Sequence, residues 1–220
     1  MTTYHTVVQG EYLSGIAAKY GFSTFKSIWD HPQNAELKKK RQNPNVIFPG
    51  DRLFIPDRVQ KLAVVGTSLQ HQFVLKAEKL KLRLALEGLH GKPIANAKCD
   101  LTIDGQTFPV TTDDQGKFEQ DIKRGAQGGS LTVKGAQTPI DGMVIPVKIG
   151  HLDPVDEVAG QQARLNNLGY FAGPFEGSSA EENKALFLSA VEEFQCDHGL
   201  LVDGKCGPAT QAKLKQVHGS

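Results

Sequence analysis

The apolar pattern of this chain changes period twice along its length, which excludes one uniform architecture from end to end. In LKLRLALE (80–87) leucine recurs at every second position, with Lys81, Arg83 and Glu87 on the alternate face. A period of two suits a strand with one buried face and gives a helix no apolar stripe. AKCDLTID repeats the pattern and points Cys99, Leu101 and Ile103 inward. There Cys99 reads as a small buried hydrophobe. TDDQGKFEQDI reads as a turn and a strand carrying Phe118, and GSLTVKG and MVIPVKIG read as further strands. At least six short strands separated by Gly, Asp and Pro turns predict a β-sandwich over 72–150.

The flanking segments carry helical spacing instead. Residues 1–57 read β-α-α-β. YHTVV is a strand, and Leu13, Ile16, Ala17 and Tyr20 share one helical face ending at Gly21. Ser23 is placed to cap a second short helix that buries Phe25, Ile28 and Trp29, and RLFIP closes as a strand. In NPNVIFPGDRLFIPD, Pro49 and Gly50 form a rigid turn that brings 43–48 back over the loop at 10–13. The basic run at 38–41 reads as a solvated helix end. Residues 58–71 show no clear period and read as a linker. Residues 151–220 read as three helices. Asp153 and Pro154 open the first, whose inner face takes Val158, Leu165 and Leu168, and Gly169 follows its end. Ser179 and Glu182 form a capping box for the second, which buries Phe187, Ala190, Val191 and Phe194. Pro208 starts the third, with Leu214 inward. The fold class expected is therefore multidomain α+β.

Composition narrows the function. Lys plus Arg is 25 against 24 Asp plus Glu, a net charge of +1, so no bulk attraction to nucleic acid follows. No run approaches the roughly 20 apolar residues of a membrane helix, so no membrane insertion is expected. The N-terminus MTTYHTVVQGEYLSG lacks a basic segment followed by an apolar core, so no signal peptide is visible and cytoplasmic synthesis is expected. Cys99, Cys196 and Cys206 are too few for a disulfide framework and are expected as free thiols. The seven histidines form no H-E-x-x-H pair or other metal spacing, and G-x-S-x-G is absent. Glu192 and Glu193 are adjacent on a helix and point apart, so they form no acid–base pair. No catalytic residue, metal ligand or cofactor is expected, and the chain reads as a non-enzyme and a monomer.

Three stretches carry family resemblances. YHTVVQGEYLSGIAAKYGF followed by NPNVIFPGDRLFIP resembles the LysM domain over 1–57, although Glu11-Tyr12 replaces the usual Asp-Thr and HPQNAELKKKR lengthens the middle. The resemblance implies a βααβ fold and a shallow groove for N-acetylglucosamine-containing glycans. Its walls would be Gly10, Glu11, Tyr12 and Leu13 on one side and Asn45, Val46, Ile47 and Phe48 on the other. QQARLNNLGYFAGPFEG and AVEEFQCDHGLLVDGKCGPATQAKL resemble the peptidoglycan-binding domain type 1, with its first loop altered to EGSSAEEN. This implies a three-helix peptidoglycan-binding domain in which Tyr170, Gln195 and Asp203 are the polar residues nearest the ligand. The middle segment resembles Ig-like or transthyretin-like modules, which serve as spacers or docking platforms.

Two readings stay open. The first is a non-catalytic peptidoglycan-binding protein with two wall-binding modules on a β-sandwich spacer, acting at the periplasm or cell wall. The second is an adaptor or structural part of a contractile injection machine, a type VI secretion spike or phage baseplate. Such an adaptor would be delivered by the machine and would have spike or effector proteins as partners. The order of the three modules resembles LysM proteins associated with such spikes.

Overall fold

A computed structural model describes residues 3–59, 70, 72, 79–88, 91–134, 140–175 and 177–220. The linker expected at 58–71 lies almost wholly outside the described residues.

In the N-terminal module β1 (Thr3–Thr6) pairs antiparallel with β2 (Arg52–Ile55), from Thr3 opposite Ile55 to Thr6 opposite Arg52. Between them run α1 (Leu13–Lys19), α2 (Lys26–Trp29), a 3-10 turn (Pro32–Asn34) and α3 (Ala35–Arg41). The expected βααβ order therefore gains a helix, built from the lengthened middle segment. Leu13, Ile16, Ala17, Ile28 and Trp29 pack on Leu53 and Ile55 as one core. Ser23 does not cap α2; the Thr24 hydroxyl accepts from Lys26 N instead. Asn34 is buried and fixes the added helix. Its Nδ2 donates to the carbonyls of Ile28 (2.8 Å) and Phe54 (2.9 Å), and its Oδ1 accepts from Phe54 N. It thus supplies β2 with the pairing a further strand would give.

The basic run is not wholly solvated. Arg41 turns inward and grips Asp51 with Nε (2.8 Å) and Nη2 (2.9 Å), a two-pronged match of guanidinium to carboxylate. Asp51 Oδ2 also accepts from Phe48 N, so α3 is bolted to the Pro49-Gly50 turn. That turn is tied to β1 by Gly50 N to Val7 O (2.8 Å) and Val7 N to Asp51 O (2.9 Å). Gly50 has φ of +91°, and a side-chain Cβ there would meet no atom within 4 Å. Only backbone strain opposes substitution. Gly50→Val should cost about 1–2 kcal/mol in a melting experiment, and Gly50→Asn clearly less.

Among the described residues the middle of the chain holds six strands: β3 (Leu80–Ala85), β4 (Lys98–Ile103), β5 (Gln106–Thr111), β6 (Lys117–Ile122), β7 (Gly128–Lys134) and β8 (Val144–Lys148). They form a β3-β6 pair and a four-stranded sheet ordered β5-β4-β7-β8, all antiparallel. Leu86, Cys99, Leu101, Ile103, Phe118, Ile122, Leu131 and Val133 fill the space between the sheets. Asp104 and Gly105, both at positive φ, make the two-residue hairpin turn from β4 to β5. Pro109 and Pro146 sit on β5 and β8, the outer strands, where a missing N–H breaks no ladder bond.

The C-terminal bundle comprises α4 (Val158–Asn167), α5 (Ala180–Asp197) and α6 (Pro208–His218) around Val155, Leu165, Ala190, Val191, Phe194 and Leu214. The Ser179–Glu182 capping box opens α5 as expected. The start of α4 differs. Glu157 is its N-cap, Asp153 and Pro154 precede it, and Val158 is exposed while Val155 faces the core. The carbonyls of Asp153 and Gly160 instead accept from Nη1 of the buried Arg164, both at 2.7 Å. Burial pushes the Arg164 guanidinium down to about 10, so it stays charged at neutral pH.

Burial, helped by the nearby Arg164 charge, pushes the His218 imidazole down to about 4. Its Nε2 faces Asn167 Nδ2 at 3.1 Å and its Nδ1 faces Ser220 Oγ at 2.7 Å, a pairing that suits the neutral ring. Unfolding returns it to an ordinary value near 6.5. Between pH 6.5 and 4 the unfolded chain then binds more protons, so stability falls as the pH drops through that window. The wild type should lose more melting temperature than His218→Gln when the pH goes from 7 to 4.5, and should match it in slope above pH 7.

Candidate functional site

The first wall of the expected N-terminal groove is used internally. Glu11 reaches back to His5 Nε2 at 2.6 Å and accepts from Val8 N at 3.1 Å. Burial pushes its carboxyl up, and the His5 and Val8 hydrogen bonds more than offset that, leaving it below the usual carboxylate range. Tyr12 is only 5% exposed. Its hydroxyl donates to Ala126 O (3.0 Å) and accepts from Gly125 N (2.7 Å), both on the β6–β7 connection of the sandwich. The expectation that Tyr12 borders an open groove is thereby corrected: this aromatic is a peg between two modules. Gly10 is buried too. A side-chain Cβ on it would stand 3.0 Å from His151 Nε2, and one on Gly150 would stand 2.5 Å from Gly10 O. Leu13 is fully buried in the module core.

The second wall is more open. Val46 and Ile47 turn inward. Phe48 is half-buried with the Arg41 guanidinium 5.4 Å from its ring centre. Asn45 is exposed, and its N–H donates to Asn43 Oδ1, which holds the loop in a tight Asx turn. The structure therefore does not bring the eight groove positions together as one accessible surface.

The three polar positions expected at the C-terminal ligand surface divide in the same way. Gln195 is 1% exposed and makes five hydrogen bonds. Its Nε2 donates to Asp203 Oδ1, Lys205 O and Thr210 Oγ1, and its Oε1 accepts from Asp203 N and Gly204 N. Burial at the centre of this clamp corrects its placement at the surface. Asp203 is exposed, but its Oδ1 is already engaged by Lys205 N (2.9 Å) and by Gln195. Tyr170 packs edge-on against Phe194 and donates to Asp197 Oδ2 at 3.0 Å. Burial and that bond push its phenol up to about 12.

Sequence reasoning missed Phe171 and Phe175. They are 74% and 42% exposed, with ring centres 6.1 Å apart. The turn from Phe175 O to Ser178 N leads into an open trough on α5 lined by Gly177, Glu182, Ala185 and Ser189. The available signal was GYFAGPF itself: two phenylalanines in a Gly-Pro loop, outside any helical register that would bury them.

Helix order, capping box and Gln195 clamp together define the bundle that a family match now names. Residues 155–214 match the family of putative peptidoglycan binding domains. Residues 5–30 match the LysM domain. Neither match reaches the β-sandwich. No curated protein and no solved structure matches the chain. Both matched families are binding modules, and together they support a peptidoglycan-binding role at the cell wall. Among the described residues no helix is long and apolar enough to cross a membrane, and no group of three or more His, Cys, Asp or Glu is placed to hold a metal ion.

Proposed function

We propose that the protein is a non-catalytic peptidoglycan-binding protein whose C-terminal bundle makes the main wall contact through Phe171 and Phe175. The sandwich then acts as a platform on which the N-terminal module is seated, more than as a spacer. The exposed phenylalanine pair carries this reading. Aromatic faces cover the apolar face of a pyranose ring, while neighbouring Ser and Glu side chains can bond its hydroxyl and acetamido groups. Its position in the module matched to a peptidoglycan-binding family adds support. The injection-machine reading rests on the resemblance of module order alone.

Co-sedimentation with purified insoluble peptidoglycan tests the proposal. The full chain should pellet. Phe171→Ala and Phe175→Ala together should cut the bound fraction several-fold, while Phe171→Ala alone moves stability by less than about 0.5 kcal/mol, as for other exposed sites. Unchanged pelleting of the double variant would remove the phenylalanines from the site, and a full chain that stays in the supernatant would sink the proposal.

A further inference from the structure

Docking of Tyr12 on the sandwich closes one side of the N-terminal module and opens another site. A cleft of about 240 Å³ lies between the module and the sandwich. Ser14, Thr24, Phe25 and Asn45 line it from the module, and Lys79, Lys81, Arg83 and Arg124 line it from the sandwich. The chain as a whole is nearly neutral, at +1, so four cations around one cleft are a local concentration.

Part of this charge is spent within the protein. Lys79 pairs with Asp121 at 2.9 Å, and Lys81 and Arg83 share Glu119 at 2.9 and 2.7 Å. Four cations thus face two carboxylates. Arg124 has no carboxylate partner among the described residues. Its Nη1 donates to Phe22 O (2.9 Å) and Ser23 O (2.8 Å), which pins the guanidinium at the cleft without neutralising it. A fixed guanidinium with spare donors fits a carboxylate in a two-pronged way. Phe25, Asn45 and the two hydroxyl residues add an apolar face and uncharged hydrogen-bonding groups.

We infer that this composite cleft binds a carboxylate-bearing segment of peptidoglycan, taking the lactyl-peptide side of a muropeptide through Arg124 and the β3 cations. The inference rests on the peptidoglycan-binding reading and assigns the second contact to a junction of two modules. Neither module has this site alone: Asn45 and Thr24 come from one, Arg124 and Arg83 from the other. A neutral chitin fragment carries no group for the cations, so the cleft discriminates between the two glycans by charge.

The test is an amide-shift titration of the full-length protein with a disaccharide muropeptide that has free stem carboxylates, beside neutral chitotetraose. The muropeptide should shift the amides of Thr24, Asn45 and Arg124, and chitotetraose should move them far less. Lys81→Gln with Arg83→Gln should weaken the cleft response about fivefold or more, as should 0.5 M salt. Both side chains are exposed, so folding is not at stake. Asn45→Asp, which adds a negative charge at the opposite lip, should weaken it as well. Shifts confined to the C-terminal bundle would overturn this inference and leave the proposed function standing. An equal response to chitotetraose, indifferent to these substitutions, would overturn recognition of the carboxylate. No shift anywhere would overturn both.

Discussion

Gln195→Leu should melt the C-terminal bundle about 15 °C or more below the wild type. Leucine retains the apolar bulk but leaves the N–H groups of Asp203 and Gly204 without the oxygen they now share, while the Lys205 carbonyl keeps Gly207 N and the Thr210 hydroxyl as donors. A buried polar group left unpaired costs about 1–3 kcal/mol, so the loop at 203–210 loses about 3 kcal/mol or more of anchorage. For a domain this small each kcal/mol moves the midpoint by about 4–8 °C. Asp203→Asn supplies the contrast. Its side chain is exposed and an amide oxygen can still accept from Gln195 and Lys205 N, so its midpoint should drop far less. A Gln195→Leu protein that melts normally would mean the clamp contributes little, and would return Gln195 to the ligand surface as a candidate.

Tyr12→Ala should be nearly as damaging, and for a different reason. Removing a buried aromatic costs about 3–5 kcal/mol, and here the loss falls at the seam between two modules. Heating should then show the N-terminal module melting apart from the sandwich instead of with it. Tyr12→Phe keeps the ring and deletes only the two hydrogen bonds to Gly125 and Ala126, so it should cost about 1–2 kcal/mol and retain one transition. Calorimetry separates these outcomes. A single unshifted transition for Tyr12→Ala would show that the ring is not a peg.

These two residues mark where sequence reading runs out. The alternation of LKLRLALE, the Ser179–Glu182 box and the Pro49-Gly50 turn were legible because each is decided by residues within a few positions of one another. Tyr12 meets Ala126 across 114 residues. Nothing near Tyr12 distinguishes a loop aromatic that covers a sugar from one that covers a neighbouring module. Arg41 is similar: a run of basic residues reads as a solvated helix end, and only the arrival of Asp51 makes the last of them an interior residue. Gln195 was expected at the ligand surface because it is a polar residue at a position that matches the family pattern. Four of its five hydrogen bonds go to the loop that follows α5 and the fifth to Thr210 at the start of α6, a path that no local pattern specifies. Phe171 and Phe175 fail in the opposite sense, since apolar residues are first assigned to a core.

The placement of the sandwich prolines bears on how this protein behaves in company. An antiparallel sheet with two free margins is a template on which another chain can lay a strand, and stacking of this kind seeds fibrils. Here β5 carries Pro109 and β8 carries Pro146, so each margin of the four-stranded sheet lacks an outward N–H near its middle. A visiting strand would meet a gap and a bulky ring on whichever side it approached. Copies of the protein brought close together would thus be hindered from joining strand to strand along those margins.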